Sequence, residues 1–325
     1  MPDDAVVAAP SLLISIIVVI YGTGQTVLEA LDAVARNTPI DHEVIVVDCL
    51  PVDPTTRTAP LLADRTDIRL FAIDDNLGVA GGNEYGVEHA RANYLCFLNA
   101  DVIVGPGWLQ PLIDAIDDPT VGIAAPVLLN ADGSLQEAGQ LIFADTFTTP
   151  IGGADIMAGD GTNIFSRDVD YASAACWVVR RADHVALGGF DRHYHPAYLE
   201  DSDYALRMES SGKRIRLVAD VPVLHHHGQG SGTGDAAVGQ GTHARFERRW
   251  AGHLADRPAR PTTSVDVIAA CDRLAGATSA SRRRVGFRNR VPAIRGGRRS
   301  QHASRCSATR SNDVPDRRRR ASINR

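Results

Sequence analysis

An open, mostly parallel α/β sheet flanked by helices is the fold class this sequence predicts, and three observations predict it. The first is a β-branched run, LLISIIVVI at residues 12–20. Its continuity suits a strand covered on both faces, because a strand with one wet face alternates. The second is the regular exchange of such runs with stretches of helical period over the first 125 residues, a βαβ rhythm with right-handed crossovers. The third is glycine at the junctions, Gly22 and Gly24 after the first run and a cluster after Leu77.

Taken in order, QTVLEALDAVARN (25–37) carries Val27, Leu28, Leu31 and Val34 on one face and predicts a helix. HEVIVVD (42–48) and DIRLFAI (67–73) predict the second and third strands. GVAGGNEYGVEHARA (78–92) opens Gly-rich and continues as a helix; YLCFLNA (94–100) is the fourth strand, and a helix follows at 107–116. Beyond Pro126 the pattern loosens into Gly- and Asp-rich segments, with a strand predicted at ASAACWVVR (172–180). EDSDYALRMESSG (200–212) predicts a helix closed by Gly212, and RIRLVADVPVLHHHG (214–228) an extended segment. Residues 228–241 are Gly-rich and expected to be mobile, and residues 281–325, without periodicity, to be disordered.

Composition narrows the function classes. A hydrophobic share of 44% and a charged share of 22% are ordinary for a globular protein. The net charge of −5 conceals an asymmetry: residues 281–325 hold 15 Arg against two Asp, leaving a strongly acidic remainder. Five cysteines (Cys49, Cys96, Cys176, Cys271, Cys306) without CxxC spacing indicate neither a disulfide framework nor a zinc site, and favour a reducing compartment. The longest apolar run, residues 11–20, is shorter than the roughly 18 residues of a membrane span. Asp3 and Asp4 have the wrong charge for a signal peptide, so a cytoplasmic protein is expected.

Ligands of open α/β sheets bind beyond the carboxyl ends of the strands. Asp48, Asn76 and the pair Asn99/Asp101 fall at three such ends. Asp48 alone also fits a simple turn. NLGVAGGN is neither a Walker A loop nor GxGxxG; its glycines suit close strand-to-helix packing, and its helix N-terminus suits a phosphate. Asn99-Ala100-Asp101 is sharper. On an extended segment positions i and i+2 point the same way, so amide and carboxylate converge as Mg²⁺ or Mn²⁺ sharing a diphosphate requires; the alternative is an Asx turn. Glu200, Asp201 and Asp203 crowd a helix start, which suits the dipole, yet close like charges also raise a carboxyl pKa as a general base needs. In LHHHG an extended backbone sends His225 and His227 to one side and His226 to the other, as metal ligands or as surface histidines. Trp108 and Trp177 are read as core.

Taken together, SIIVVIYGTGQTVLEALDAV, EVIVVD, DNLGVAGGNEYGVEHA, YLCFLNADVIVGPGWLQPLIDAI, VGIAAPVLLNADGSLQEAG, ASAACWVVRR, ALGGFD, YLEDSDYALRMESSGKRI and VLHHHG resemble, over residues 12–230, a family 2 glycosyltransferase of its rhamnosyltransferase-like branch. The resemblance implies a GT-A, Rossmann-like fold with an acceptor-side extension. It divides the chain into a nucleotide-sugar-binding half (1–125), an acceptor-side half with the base and metal histidine (126–235) and a C-terminal helical segment (236–280) that includes a helix at 243–256; the Arg-rich tail (281–325) matches nothing in the family. It implies inverting transfer of rhamnose or a related hexose from a dTDP- or UDP-linked donor to a glycan or lipid-linked acceptor, helped by Mg²⁺ or Mn²⁺. By the same resemblance Asp48 contacts the nucleobase, and Asn76, Gly78 and Asn83 line the donor pocket. Asn99 and Asp101 form the metal-diphosphate motif, His225 or His227 adds a metal ligand, and Glu200–Asp201 supplies the base at Asp201. Gly188-Gly189-Phe190-Asp191 frames the acceptor side.

The sequence departs from the family at Cys49-Leu50-Pro51, at Glu84 where Asn is common, at Val79 where an aromatic is common, and at Ala100 within the metal motif. The Arg-rich tail is read first as a solvated, dispensable extension; it also suits peripheral contact with anionic lipid at the inner face of the plasma membrane or nonspecific contact with nucleic acid, and no specific nucleic-acid partner is expected. Two rival functions share the fold class: a nucleotidyltransferase, and a noncatalytic nucleotide-sugar-binding or scaffold protein.

Overall fold

The β-branched runs form strands because each finds cover on both faces. A computed structural model of the protein describes residues 13–22, 24–151, 164–226 and 236–260. Its strands are β1 (Ile14–Ile20), β2 (His42–Cys49), β3 (Arg69–Ile73), β4 (Tyr94–Leu98), β5 (Val102–Ile103), β6 (Val121–Leu129), β7 (Leu135–Glu137), β8 (Gln140–Ile142), β9 (Thr148–Pro150), β10 (Arg167–Val169), β11 (Cys176–Arg180) and β12 (Arg214–His225). Its helices are α1 (Gln25–Asn37), α2 (Ala59–Leu62), α3 (Gly78–His89), α4 (Gln110–Ile116), α5 (Arg181–Leu187), α6 (Glu200–Ser210) and α7 (Ala236–Leu254). The main sheet runs β10-β12-β6-β11-β4-β1-β2-β3, with β5 and β7 attached to β12 and β6, while β8 and β9 pair separately.

Central β1 is parallel to β2 and to β4, and β3 continues parallel beyond β2. Along β1, Ile17 enters one hydrophobic core while Ile14, Ile16, Val18 and Ile20 enter the other, which is why the run does not alternate. On the second of these faces α1 buries Val27, Leu31 and Val34. On the first, α3 lies close through its glycines: a Cβ at Gly86 would sit 2.4 Å from Ile17 Cγ2, and one at Gly82 2.6 Å from Val19 Cγ1. Close packing therefore accounts for these two glycines.

The second half makes the sheet mixed. Strand β11 enters antiparallel between β4 and β6, whereas β12 runs parallel to β6. All nine residues of β6 are buried, although it carries Pro126 in mid-strand and the sequence did not predict it. Proline removes a ladder donor and is tolerated at bulges. Here β12 bulges at that level: Val218 pairs with Pro126, and the register shifts before Pro222 pairs with Val127.

Helix α7 starts within the segment expected to be mobile and ends near the predicted boundary. Phe246, Trp250 and Leu254, spaced by one helical turn, bury one stripe of it, and this anchoring outweighs the helix-weakening glycines before it. Trp108 and Trp177 are core, as expected, at 2% and 0% exposure. Among the described residues no helix is long and apolar enough to cross a membrane. The expectations for His227 and for residues 261–325 lie outside the described residues.

Candidate active site

One cavity of about 420 Å³ brings together most of the residues the sequence singled out. Asn76, Gly78, Asn83, Asn99, Asp101, Glu200, Asp201 and His225 all line it. They arrive from the ends of β4 and β12, from the start of α3 and from the start of α6, so the sheet order alone makes distant segments converge.

Asp48 is not among the lining residues. It is fully buried within β2, and one carboxylate oxygen accepts from the Ala59 amide at 2.6 Å and faces Arg57 Nε at 3.5 Å. Burial raises its carboxyl, against the pull of that amide and of Arg57. The first residue of α2 takes the carboxylate, and the residue after Asp48, Cys49, lines the cavity instead.

Asn99-Ala100-Asp101 is not extended. Val102 N donates to the Asn99 carbonyl at 3.2 Å, closing a turn that leaves Asn99 exposed and buries Asp101 at 3% exposure. The two side chains therefore do not project in parallel as an extended i, i+2 pair would. Asp101 faces His225 instead, with Oδ1 3.3 Å from Nε2, while the Asp101 carbonyl accepts from the His226 amide at 3.0 Å. Burial alone would raise the Asp101 carboxyl; the His225 imidazole outweighs it and holds the group below its ordinary value. Among the described residues no three His, Cys, Asp or Glu side chains are close enough together to hold a metal ion by themselves. A carboxylate and an imidazole nitrogen facing each other at the cavity wall nonetheless fit a hard divalent ion whose remaining ligands are substrate oxygens and water.

The opening of α6 is built on strained backbone. Tyr198 and Leu199 both adopt left-handed conformations, φ 79° and 68°, which cost non-glycine residues about 1–3 kcal/mol each. The turn they make sets Glu200 and Asp201 side by side against the cavity. Asp201 Oδ1 accepts from Ser202 N at 2.7 Å and from Ser202 Oγ at 3.3 Å. Burial and the charge of Asp201 push the Glu200 carboxyl up to about 8. Burial also raises Asp201, but the amides of Ser202 and Ala174 oppose it. Two close buried carboxyls disfavour a second negative charge, so the pair titrates as a unit and tends to keep a proton between them. Asp203 is fully buried and points elsewhere, accepting from Arg207 Nε at 2.8 Å and from Trp250 Nε1 at 2.9 Å, which joins α6 to α7.

The loop opening α3 is stitched to the segment leading into α6. Val79 N donates to the Pro196 carbonyl at 2.8 Å, and His195 Nε2 donates to the Asn76 carbonyl at 2.8 Å. Asn76 Oδ1 accepts from Gly78 N at 3.0 Å. Gly78 takes φ +67°, and a Cβ there would lie 2.6 Å from the Pro196 oxygen, so glycine is required twice over. Glu84 points away from the cavity: Oε1 accepts from Phe190 N at 2.6 Å and lies 3.1 Å from His184 Nε2, holding the Gly188-Gly189-Phe190 turn against α3.

Among the cavity residues that sequence reasoning missed are Tyr21, Tyr171, Ser173 and Tyr198. Tyr21 had a signal, an aromatic between the first strand and its glycines. Ser173 lies at the start of the predicted strand 172–180 and Tyr198 just before the predicted helix 200–212, whereas nothing in the sequence marks Tyr171.

With this geometry the sequence matches a model of glycosyl transferase family 2 over residues 15–185, more than half of the chain. The chain belongs to glycosyl transferase family 2. It is 28% identical over 221 residues to O-antigen biosynthesis protein RfbC of Myxococcus xanthus, a match covering 66% of this chain and 17% of that protein. It is 24% identical over 247 residues to N-acetylglucosaminyl-diphospho-decaprenol L-rhamnosyltransferase of Mycobacterium tuberculosis (strain ATCC 25618 / H37Rv), covering 69% of this chain and 80% of that one. The chain thus spans a minor part of the first relative and most of the second. The solved structure of GalNAc-T7 with UDP, GalNAc and Mn²⁺ matches 76% of this chain and 50% of its own, at 15% identity and a TM-score of 0.59. That likeness shows the GT-A fold, and the domain is a glycosyltransferase domain of family 2.

Proposed function

We propose that the protein is an inverting glycosyltransferase that moves rhamnose or a related hexose from a dTDP- or UDP-linked donor to a hydroxyl of a glycan or lipid-linked acceptor. The observation that carries the reading is the single cavity in which a buried Asp101–His225 pair and the Glu200–Asp201 pair share a wall with Asn76, Gly78 and Asn83. The name of the mycobacterial relative supports the choice of sugar and of a lipid-linked acceptor.

Asp201 accepts the proton of the acceptor hydroxyl as its oxygen bonds to the anomeric carbon and the bond from that carbon to the diphosphate breaks. General-base help of this kind is worth roughly 10²–10⁴ in rate. Glu200, protonated, keeps the charge on its neighbour. Asn76, Gly78 and Asn83 orient the donor beside the open start of α3. Asp101 and His225 would hold Mg²⁺ or Mn²⁺, which supplies charge stabilisation to the departing diphosphate. Residues 281–325 supply positive charge for contact with anionic lipid at the cytoplasmic membrane face.

Thermal stabilisation by a panel of nucleotide-sugars, with and without Mn²⁺, tests donor and metal together, since a ligand of the native state raises the midpoint. One donor is expected to shift it in a metal-dependent way, and Asp101→Ala to lose that shift. Asp201→Asn is expected to keep donor binding and lose transfer; unchanged turnover would remove Asp201 from the role of base.

A further inference from the structure

His225 faces Asp101 through one ring nitrogen and Gln136 through the other, and a chain of hydrogen bonds behind Gln136 sets which of its amide atoms meets the ring. The turn between β6 and β7 holds Asp132, whose carboxylate accepts from the Ser134 hydroxyl at 2.6 Å. With its proton committed there, Ser134 Oγ accepts from Asn130 Nδ2 at 2.9 Å. Asn130 consequently turns Oδ1 to Gln136, whose Nε2 donates to it at 3.0 Å and to the His225 main-chain carbonyl at 3.2 Å. Two acceptors on Nε2 leave Oε1 facing His225 Nδ1 at 2.7 Å. An amide oxygen only accepts, so Nδ1 carries the imidazole proton. In the neutral ring Nε2 then directs a lone pair at the Asp101 carboxylate, 3.3 Å away, an opposition of two acceptors that a second ring proton or a bound cation relieves.

We infer that Gln136, oriented by Asn130, is a positioning residue that holds His225 in the Nδ1–H tautomer, so that Nε2 is the nitrogen joining Asp101 in holding a divalent cation. The inference rests on the cation site proposed above and deepens it: it selects one histidine of three, one nitrogen of two, and a residue outside the cavity lining that fixes both. Imidazoles that bind metals depend on such an outer acceptor, and its loss typically weakens metal binding about 10–100-fold. Gln136 lies on the three-residue strand β7, and its amide is directed inward to His225 rather than outward to solvent.

Two readouts test this on the full chain. In ¹⁵N NMR of the histidine-labelled, metal-free protein at alkaline pH, the His225 signal, assigned by its loss in His225→Ala, is expected to report the Nδ1–H tautomer. Gln136→Leu is expected to convert it to a mixture or to Nε2–H. In Mn²⁺ titrations followed by electron paramagnetic resonance, with UDP present, Gln136→Leu is expected to bind about 10–100-fold more weakly than the parent. Gln136→Glu separates positioning from simple support: it keeps an acceptor for Nδ1–H but loses both donor bonds. It is therefore expected to retain Mn²⁺ affinity close to the parent while melting as low as Gln136→Leu. If Gln136→Leu keeps the parental tautomer and affinity while Asp101→Ala loses Mn²⁺, the inference about Gln136 alone is overturned. If Asp101→Ala binds Mn²⁺ as the parent does, or the parent binds none, the cation site itself is overturned.

Discussion

Replacing Asp203 with alanine is expected to loosen α7 without touching the cavity. Its carboxylate is fully buried and accepts from Arg207 Nε at 2.8 Å, Trp250 Nε1 at 2.9 Å and Tyr194 OH at 3.3 Å, with Arg249 Nη1 at 3.1 Å. Removing one partner of a buried pair costs about 3–5 kcal/mol. Two facts pull the figure to the low end: Arg207 keeps the Leu187 carbonyl at 3.1 Å, and Arg249 keeps Asp191 at 3.0 Å with 38% of its side chain exposed. A loss of about 3 kcal/mol is therefore expected, a large share of the roughly 5–15 kcal/mol that holds a domain folded. Urea unfolding followed by tryptophan fluorescence and circular dichroism measures it, with a lower midpoint at unchanged slope. Asp203→Asn keeps one acceptor and should lose less. A loss below about 1 kcal/mol for Asp203→Ala, or equal losses for both variants, would refute the account of Asp203 as the joint between α6 and α7.

Gly86→Ala places a methyl 2.4 Å from Ile17 Cγ2 and should destabilise the fold by about 1–3 kcal/mol in thermal or urea unfolding. Gly78→Ala, strained by its φ of +67° and by the Pro196 oxygen at 2.6 Å, should reduce the midpoint shift produced by the stabilising nucleotide-sugar more than it reduces stability. Stability should fall between about pH 5 and pH 8. Burial holds Glu137 up to about 7, and burial with the Asp201 charge holds Glu200 up to about 8, both above their ordinary 4.5, so the contribution is complete below that value and is lost as they ionise. Each group adds a slope of at most about 1.4 kcal/mol per pH unit, and Glu200→Gln should flatten the curve. A stability that stays level or rises across that window would contradict the assignment.

The N-terminal half was legible because its strands are covered on both faces and its helices are amphipathic: α1 runs from Gln25 to Asn37, the segment its spacing predicts. Strand β6 was not legible because Pro126 argues against a central strand, and the bulge that accommodates it lies some ninety residues away in β12. The cavity residues were legible where they end strands or open helices, as Asn76, Asp101 and Asp201 do. Their orientations were not. The turn at Asn99–Val102, the capture of Asp48 by α2 and the inward face of Gln136 follow from hydrogen bonds between segments far apart in sequence. Glu84 looked like a lapse from the family pattern; it anchors the Phe190 turn from the far side of α3.

The stitch between Asn76–Val79 and His195–Pro196 has a consequence for how donor choice can diverge. Because two hydrogen bonds tie these short loops together, a change that reshapes the loop opening α3 is expected to displace also the carboxylate proposed to activate the acceptor, and a misplacement of about 1 Å can cost about 10²-fold in rate. A change of donor that spares turnover is thus expected to fall on side chains that line the cavity outside the stitch, Tyr21 and Asn83 among them.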